Sequence, residues 1–350
     1  MDLTIIIFLL GGLFLGWSLG ANDAANVFGT AVGTRMIRFK TAAIVCSVFV
    51  ILGAIISGGG TTETLGKLGA INALPGAFAA CVAAGISVYM MTKFGLPVST
   101  TQAIVGAIVG WNLYTGSTTN VKVLITILST WILCPIIAGL IAMFFYIITK
   151  KFIQNSKLHI LRLDAYTRLA LLLAGAFGAY SLGANNIANV MGVFVPISPF
   201  TDISIMNLFI FSSKEQLFLL GGIAIAFGVF TYSKRVMFTI GSDLLKLSPV
   251  SAFIVVISHS IVLFLFASQG ISDFLQSINL PSIPLVPVSS SQAVVGGVIG
   301  IGLLKGGKEV QWSIAGKISL GWFTLPVIAA FISFLILFIL QNILNLTVSF

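Results

Sequence analysis

Seven residues, Gly20-Ala21-Asn22-Asp23-Ala24-Ala25-Asn26, lie inside an apolar stretch that begins near Leu3. A second copy, Gly183-Ala184-Asn185-Asn186-Ile187-Ala188-Asn189, lies inside another. Asp23 is the only carboxylate of the first stretch apart from Asp2 at its edge. A carboxylate at membrane depth is costly and marks a functional site with a partner. On a helix, Asn22, Asp23 and Asn26 share one face. The surrounding Gly and Ala let backbone approach closely. Carboxylate and amide oxygens, with freed backbone carbonyls, suit a hard cation such as sodium. The same reading extends to Asn185, Asn186 and Asn189. A lone Asn motif would also serve as a polar clamp between helices. The buried acid and the repetition favour an ion site, because internal repeats of this kind are a signature of secondary transporters.

The 350-residue chain is 58% hydrophobic and 8% charged, which no soluble domain of this size matches. Its net charge of +9 is carried by short loops, as the positive-inside rule expects, so nucleic acid is not an implied partner. Cys46, Cys81 and Cys134 sit in apolar runs and read as core residues. His159 and His259 are isolated, which argues against a two-histidine metal site. The first apolar stretch lacks a basic leader and reads as a retained helix.

The expected fold is an all-α polytopic membrane protein made of two inverted repeats, each with transmembrane helices and a re-entrant helical hairpin. The repeats are residues 1–150 and 169–350, joined by a basic linker, 151–168. Leu3 to Thr34 predicts a helix broken or bent near Gly20. Gly58 to Asn72 reads as a polar turn. Pro75 to Tyr114 predicts the first hairpin, with arms at 76–91 and 100–111 flanking Gly95-Leu96-Pro97-Val98-Ser99-Thr100-Thr101-Gln102. A Gly-x-Pro break followed by Ser and Thr is a helix stop and then a capped helix start. Pro287-Val288-Ser289-Ser290-Ser291-Gln292 repeats that tip between arms at 251–267 and 293–304. The motifs are 183 − 20 = 163 residues apart and the tips 287 − 97 = 190. The second half therefore carries 27 extra residues, which the polar interruption at Ser212 assigns to Ser212–Leu247.

A re-entrant hairpin returns to its own side, so each half crosses three times and the second half is inverted. With both termini outside, Arg35, Arg38, Lys40, the Lys150–Arg168 cluster, Lys234, Arg235, Lys305 and Lys308 fall in the cytoplasm. Lys67, Lys122 and Lys214 fall outside, and this asymmetry supports the assignment. Each tip, Ser99–Gln102 and Ser289–Gln292, offers hydroxyls and free amides at a helix N-terminus, an arrangement that binds an oxyanion. Neither tip holds an Arg. The charge of a doubly charged anion would then be offset by helix dipoles, hydroxyls and a cation held at Asp23.

The two motifs and two tips together resemble the inorganic phosphate transporter family, over both halves and so most of the chain. The resemblance implies a secondary active transporter in the plasma or inner membrane that imports phosphate with sodium by alternating access. Asn22, Asp23, Asn26, Asn185, Asn186 and Asn189 would hold sodium, and the tip residues would hold phosphate. No other cofactor is implied, the partners are phosphate, sodium and the lipid bilayer, and a homodimer is compatible with the sequence. The chain departs from the family at Asn186, where the family commonly has Asp. Proton coupling or sulfate transport stays open as an alternative. An anion channel ranks lower, because of the buried acid and doubled sites. An enzyme ranks last, because no nucleophile–base pair is legible.

Overall fold

The computed structural model describes residues 3–69, 71–93, 97–155, 159–205, 209–243, 247–307 and 310–350. Asp2, Gly95, Leu96 and Lys308, all used in the sequence reading, and residues 156–158 of the basic linker lie outside the described residues. The first half runs α1 (Leu3–Gly33), α2 (Phe39–Ser57), α3 (Gly59–Gly69), α4 (Leu74–Lys93), α5 (Thr100–Thr115) and α6 (Val121–Asn155). The second runs α7 (Ile160–Met191), a 3-10 turn (Gly192–Ile197), a two-stranded ribbon of β1 (Ile203–Ile205) and β2 (Phe209–Phe211), then α8 (Ser213–Thr231), α9 (Ser233–Asp243), α10 (Pro249–Ala267), α11 (Gln269–Ser277), α12 (Ser290–Leu304) and α13 (Trp312–Asn342). Seven of the described helices are long and apolar enough to cross a membrane. Exposed apolar side chains such as Ile132, Leu140 and Phe144 on α6 and Phe323, Val327 and Phe331 on α13 form apolar faces of the kind a lipid bilayer covers.

Three expectations are corrected. First, of the break or bend expected near Gly20, the break is absent: α1 is helical without interruption through its 31 residues. At 1.5 Å per residue α1 is about 46 Å long, more than the hydrocarbon core requires. Gly20 is instead a crossing point: a Cβ there would collide with the Ile225 carbonyl of α8. Second, Gly58 to Asn72 is no simple turn. It forms α3, whose exposed Glu63 and Lys67 pair one turn apart at 2.6 Å. The ammonium beside it holds the Glu63 carboxyl below its usual range.

Third, the extra residues do not lie at Ser212–Leu247. The segment α2 to α4 spans 93 − 39 = 54 positions, and α8 to α10 spans 267 − 213 = 54. From Asn26 to α2 is 39 − 26 = 13 residues, and from Asn189 to α8 is 213 − 189 = 24. From α4 to α5 is 100 − 93 = 7, against 290 − 267 = 23 from α10 to α12. The excess of 11 and 16 places the additions in the ribbon and in α11 with its extended continuation. The polar interruption at Ser212 is a helix start: Ser212 caps α8, and Glu215 reaches back to its amide in a capping box.

Packing repeats between the halves as the element order does. The helix α1 lies on α4 and α8, and α7 on α10 and α2. Likewise α5 packs on α13 and α12 on α6. Each half thus rests on the other. Glycines make these crossings close. A Cβ at Gly20 or Gly228 would strike backbone across α1 and α8, and Gly183 and Gly53 do the same for α7 and α2. Gly106 and Gly110 meet the backbone at Pro326 and Ala330, as Gly296 and Gly300 meet it at Pro135 and Gly139. Between apolar helices in lipid there is no hydrophobic gain, so such small-residue contact is what holds them together.

Candidate functional site

The two tips are built alike. Ser99 and Ser289 are the N-caps of α5 and α12, each in extended backbone, and their Oγ atoms accept from Gln102 N and Gln292 N at 3.3 Å. The carbonyls of Ser99 and Ser289 accept from Ala103 N and Ala293 N at 3.1 Å. The amides of Thr100, Thr101, Ser290 and Ser291 are left without an intrahelical acceptor, as at any helix start. What is unusual is their depth. All fourteen motif and tip residues named from the sequence are 3% exposed or less.

The fold brings these residues together across the halves. Thr100 Oγ1 donates to Asp23 Oδ2 at 3.3 Å. Asn26 Nδ2 donates to Ser290 Oγ at 3.1 Å and lies 3.4 Å from Asp23 Oδ1. In the second motif, Asn189 Nδ2 donates to Asn186 Oδ1 at 2.8 Å and to Thr101 Oγ1 at 2.9 Å. Thr101 Oγ1 donates in turn to the Val288 carbonyl at 3.2 Å and lies 3.5 Å from Asn186 Oδ1. The first tip therefore touches both motifs, and the first motif touches the second tip. Four sequence segments converge on one locus, with Asp23 its buried carboxylate.

Asn22 and Asn185 stand apart from this centre. Asn185 Oδ1 accepts from Val288 N at 2.9 Å, and its Nδ2 lies 3.4 Å from the carbonyls of Leu263 and Val286. It thus ties α10 and the second tip to α7. Asn22 Nδ2 donates to Thr92 Oγ1 at 2.7 Å, tying α1 to α4. The continuous helix through the first motif also keeps its carbonyls within the helical ladder, so oxygens for a cation come from side chains. Gln102 Oε1, Gln292 Oε1 and Asn189 Oδ1 are buried without a partner among the described residues. Such acceptors are costly unless something occupies them. Lys93, near the first tip in sequence, is exposed at the end of α4.

Sequence reasoning missed His259. Its ring is fully buried on α10, with Nε2 2.9 Å from Ser290 Oγ. The signal was an ionisable side chain in the middle of an apolar span, and a search for a second histidine passed over it. It also missed Thr61, whose Oγ1 reaches the Asn185 carbonyl of the second motif at 3.3 Å.

A polytopic helical bundle that buries a carboxylate–amide cluster against two capped helix N-termini is a membrane transporter in construction. A family model described as the phosphate transporter family matches residues 19–272 and 282–349, which include both motifs and both tips. The nine unmatched residues between fall in α11 and the turn that follows it. The chain belongs to that family; it is a transporter of phosphate and not an enzyme. It is 29% identical to a protein of Methanocaldococcus jannaschii described as a "putative phosphate permease", over 96% of this chain and 98% of that one. A protein of Thermococcus kodakarensis with the same description is 28% identical over 95% and 97%. A solved structure, described as the sodium-dependent phosphate transporter, superposes with a TM-score of 0.77 over 97% of this chain and 99% of its own. At 23% identity that likeness is one of fold.

Proposed function

We propose that the chain imports phosphate together with sodium by alternating access. The cation lies among Asp23, Asn26, Asn186 and Asn189, and the anion lies at the paired tips. The observation that carries this reading is the contact of the Thr100–Thr101 tip with both motifs and of Asn26 with Ser290. Cation and anion sites that share ligands lower each other's burial cost, and that mutual dependence is coupling. Asp23 has no cationic side chain paired to it among the described residues, so its charge is balanced by a bound cation or removed by a proton, and the coupling ion supplies one or the other. The similar fold of a protein described as sodium-dependent supports sodium as that cation. The halves rest on one another through glycine-lined crossings and share one central locus, which suits rocking of one half against the other. With the halves inverted, Lys150–Arg168 faces the cytoplasm.

Purified protein in liposomes should accumulate phosphate against its gradient when sodium is high outside. Asp23→Asn should abolish that accumulation while the protein stays folded. Accumulation by the variant at the wild-type level would remove Asp23 from coupling. Accumulation driven by a proton gradient with sodium absent would replace sodium by a proton at the same carboxylate.

A further inference from the structure

Ser290 and Thr100 occupy matching tip positions, yet their hydroxyls are engaged in opposite senses. Thr100 spends its proton on Asp23 Oδ2. Ser290 Oγ receives an N–H from Asn26, because an amide nitrogen can only donate. The second neighbour of Ser290 Oγ is His259 Nε2 at 2.9 Å. If the imidazole carried its proton on Nδ1, Ser290 would donate to Nε2 and have no proton left for a ligand. That state would also leave an Nδ1–H donor in a fully buried ring, where Nδ1 has no partner among the described residues. A buried orphan N–H is rarer and costlier than a buried free lone pair. A proton on Nε2 avoids it and makes His259 a second donor to Ser290 Oγ.

We infer that His259 is a positioning residue for the oxyanion site: with Asn26 it saturates the acceptor side of Ser290 Oγ and turns that hydroxyl's proton toward the substrate. Ser290 is then a donor only, matched to an ionised phosphate oxygen and mismatched to a P–OH. The first half has no equivalent. With the 174-residue interval between α2 and α8 (213 − 39), His259 corresponds to Gly85, which packs on Phe14. The tips are thus chemically unequal although their sequences match. Thr100 turns its proton to Asp23 and keeps only lone pairs free, and Ser290 presents a proton to the anion. This assignment deepens the proposed function and rests on it for the identity of the ligand, but not for the state of the ring.

Two measurements test it on the full-length protein. The chain holds two histidines. The exposed His159 caps α7 through Nδ1, so His159→Asn keeps a capping side chain and leaves the 15N-labelled ring of His259 alone in the spectrum. Its nitrogen shifts should show a proton on Nε2. A neutral ring protonated on Nδ1 overturns the inference. Titration with inorganic phosphate at fixed sodium is the second measurement. His259→Leu should weaken phosphate about tenfold or more, as loss of a hydrogen bond to a ligand-bearing group does. His259→Gln, which can place an N–H near the same point, should recover most of that loss. In a Ser290→Ala background His259→Leu should add nothing. A full additional loss there, or no rescue by Gln, would reduce His259 to a packing residue. A wild type that binds no phosphate would overturn the proposed function, while the ring measurement would still decide the tautomer.

Discussion

Asp23 and Asn186 stand at equivalent places and differ by one charge. Asp23 is held by Thr100 and Asn26, and Asn186 by Asn189 and Thr101. A neutral amide in the second motif gives a cation dipole attraction only, so that side should bind cation weakly until phosphate adds negative charge. Asn186→Asp should therefore strengthen sodium binding in the absence of phosphate, by about tenfold if the added attraction is near 1.4 kcal/mol. Calorimetric sodium titrations of both proteins without phosphate check it, and equal affinities would show that the amide is not a cation ligand. That these residues belong to related clusters was legible from their types and their repetition. The division of labour among them was not. Asn185 carries the same side chain as Asn189, yet it spends both polar atoms on the backbone of α10 and the second tip. Only the position of that backbone decides the difference.

Helix α1 illustrates how an element can be read correctly and explained wrongly. Its Gly-rich middle suggested a break or a bend, and the chain stays helical there and uses Gly20 to admit α8. Glycine inside a helix weakens it locally, but a close crossing in lipid repays that through packing and weak backbone contacts. Gly20→Val should force α1 from α8, lowering the unfolding temperature in detergent and weakening phosphate binding with it. The overpacking penalty is about 1–3 kcal/mol or more, because a carbonyl cannot yield as a side chain does. Gly66→Ala makes the opposite case. No atom lies within 4 Å of a Cβ added there, and it sits in α3. It should stabilise by about 0.5–1 kcal/mol, the helix-propensity difference. Thermal unfolding of the two variants decides whether glycines here act through space or through the backbone; equal shifts would remove the crossing argument. The tips were the most legible elements. A Pro-x-Ser-x-x-Gln start has a local cause in capping, and local causes can be read from neighbouring residues.

At the scale of the molecule, the two halves repeat in element order, in segment length from α2 to α4, and in the pairing of each half's helices with the other's. If each half crosses the membrane three times, as proposed, the halves are inverted and corresponding loops should lie on opposite faces of the membrane. Thr118, in the turn after α5, and Gln311, in the turn after α12, are both exposed. In intact cells Thr118→Cys should react with an impermeant thiol reagent, and Gln311→Cys should react only after permeabilisation. The native Cys46, Cys81 and Cys134 are buried and add little background. Labelling of both sites from outside would rule out inversion. The sequence by itself determined the membrane class, the doubling of motif and tip, the total of 27 extra residues and the family resemblance, because hydropathy, repetition and capping are properties of near neighbours along the chain. Tertiary structure decided where those extra residues lie, that the first tip bridges both motifs, and that His259 of α10 stands beside Ser290. Those facts depend on which helices cross and how closely. Glycines many residues apart set those crossings, and no local pattern reports their partners.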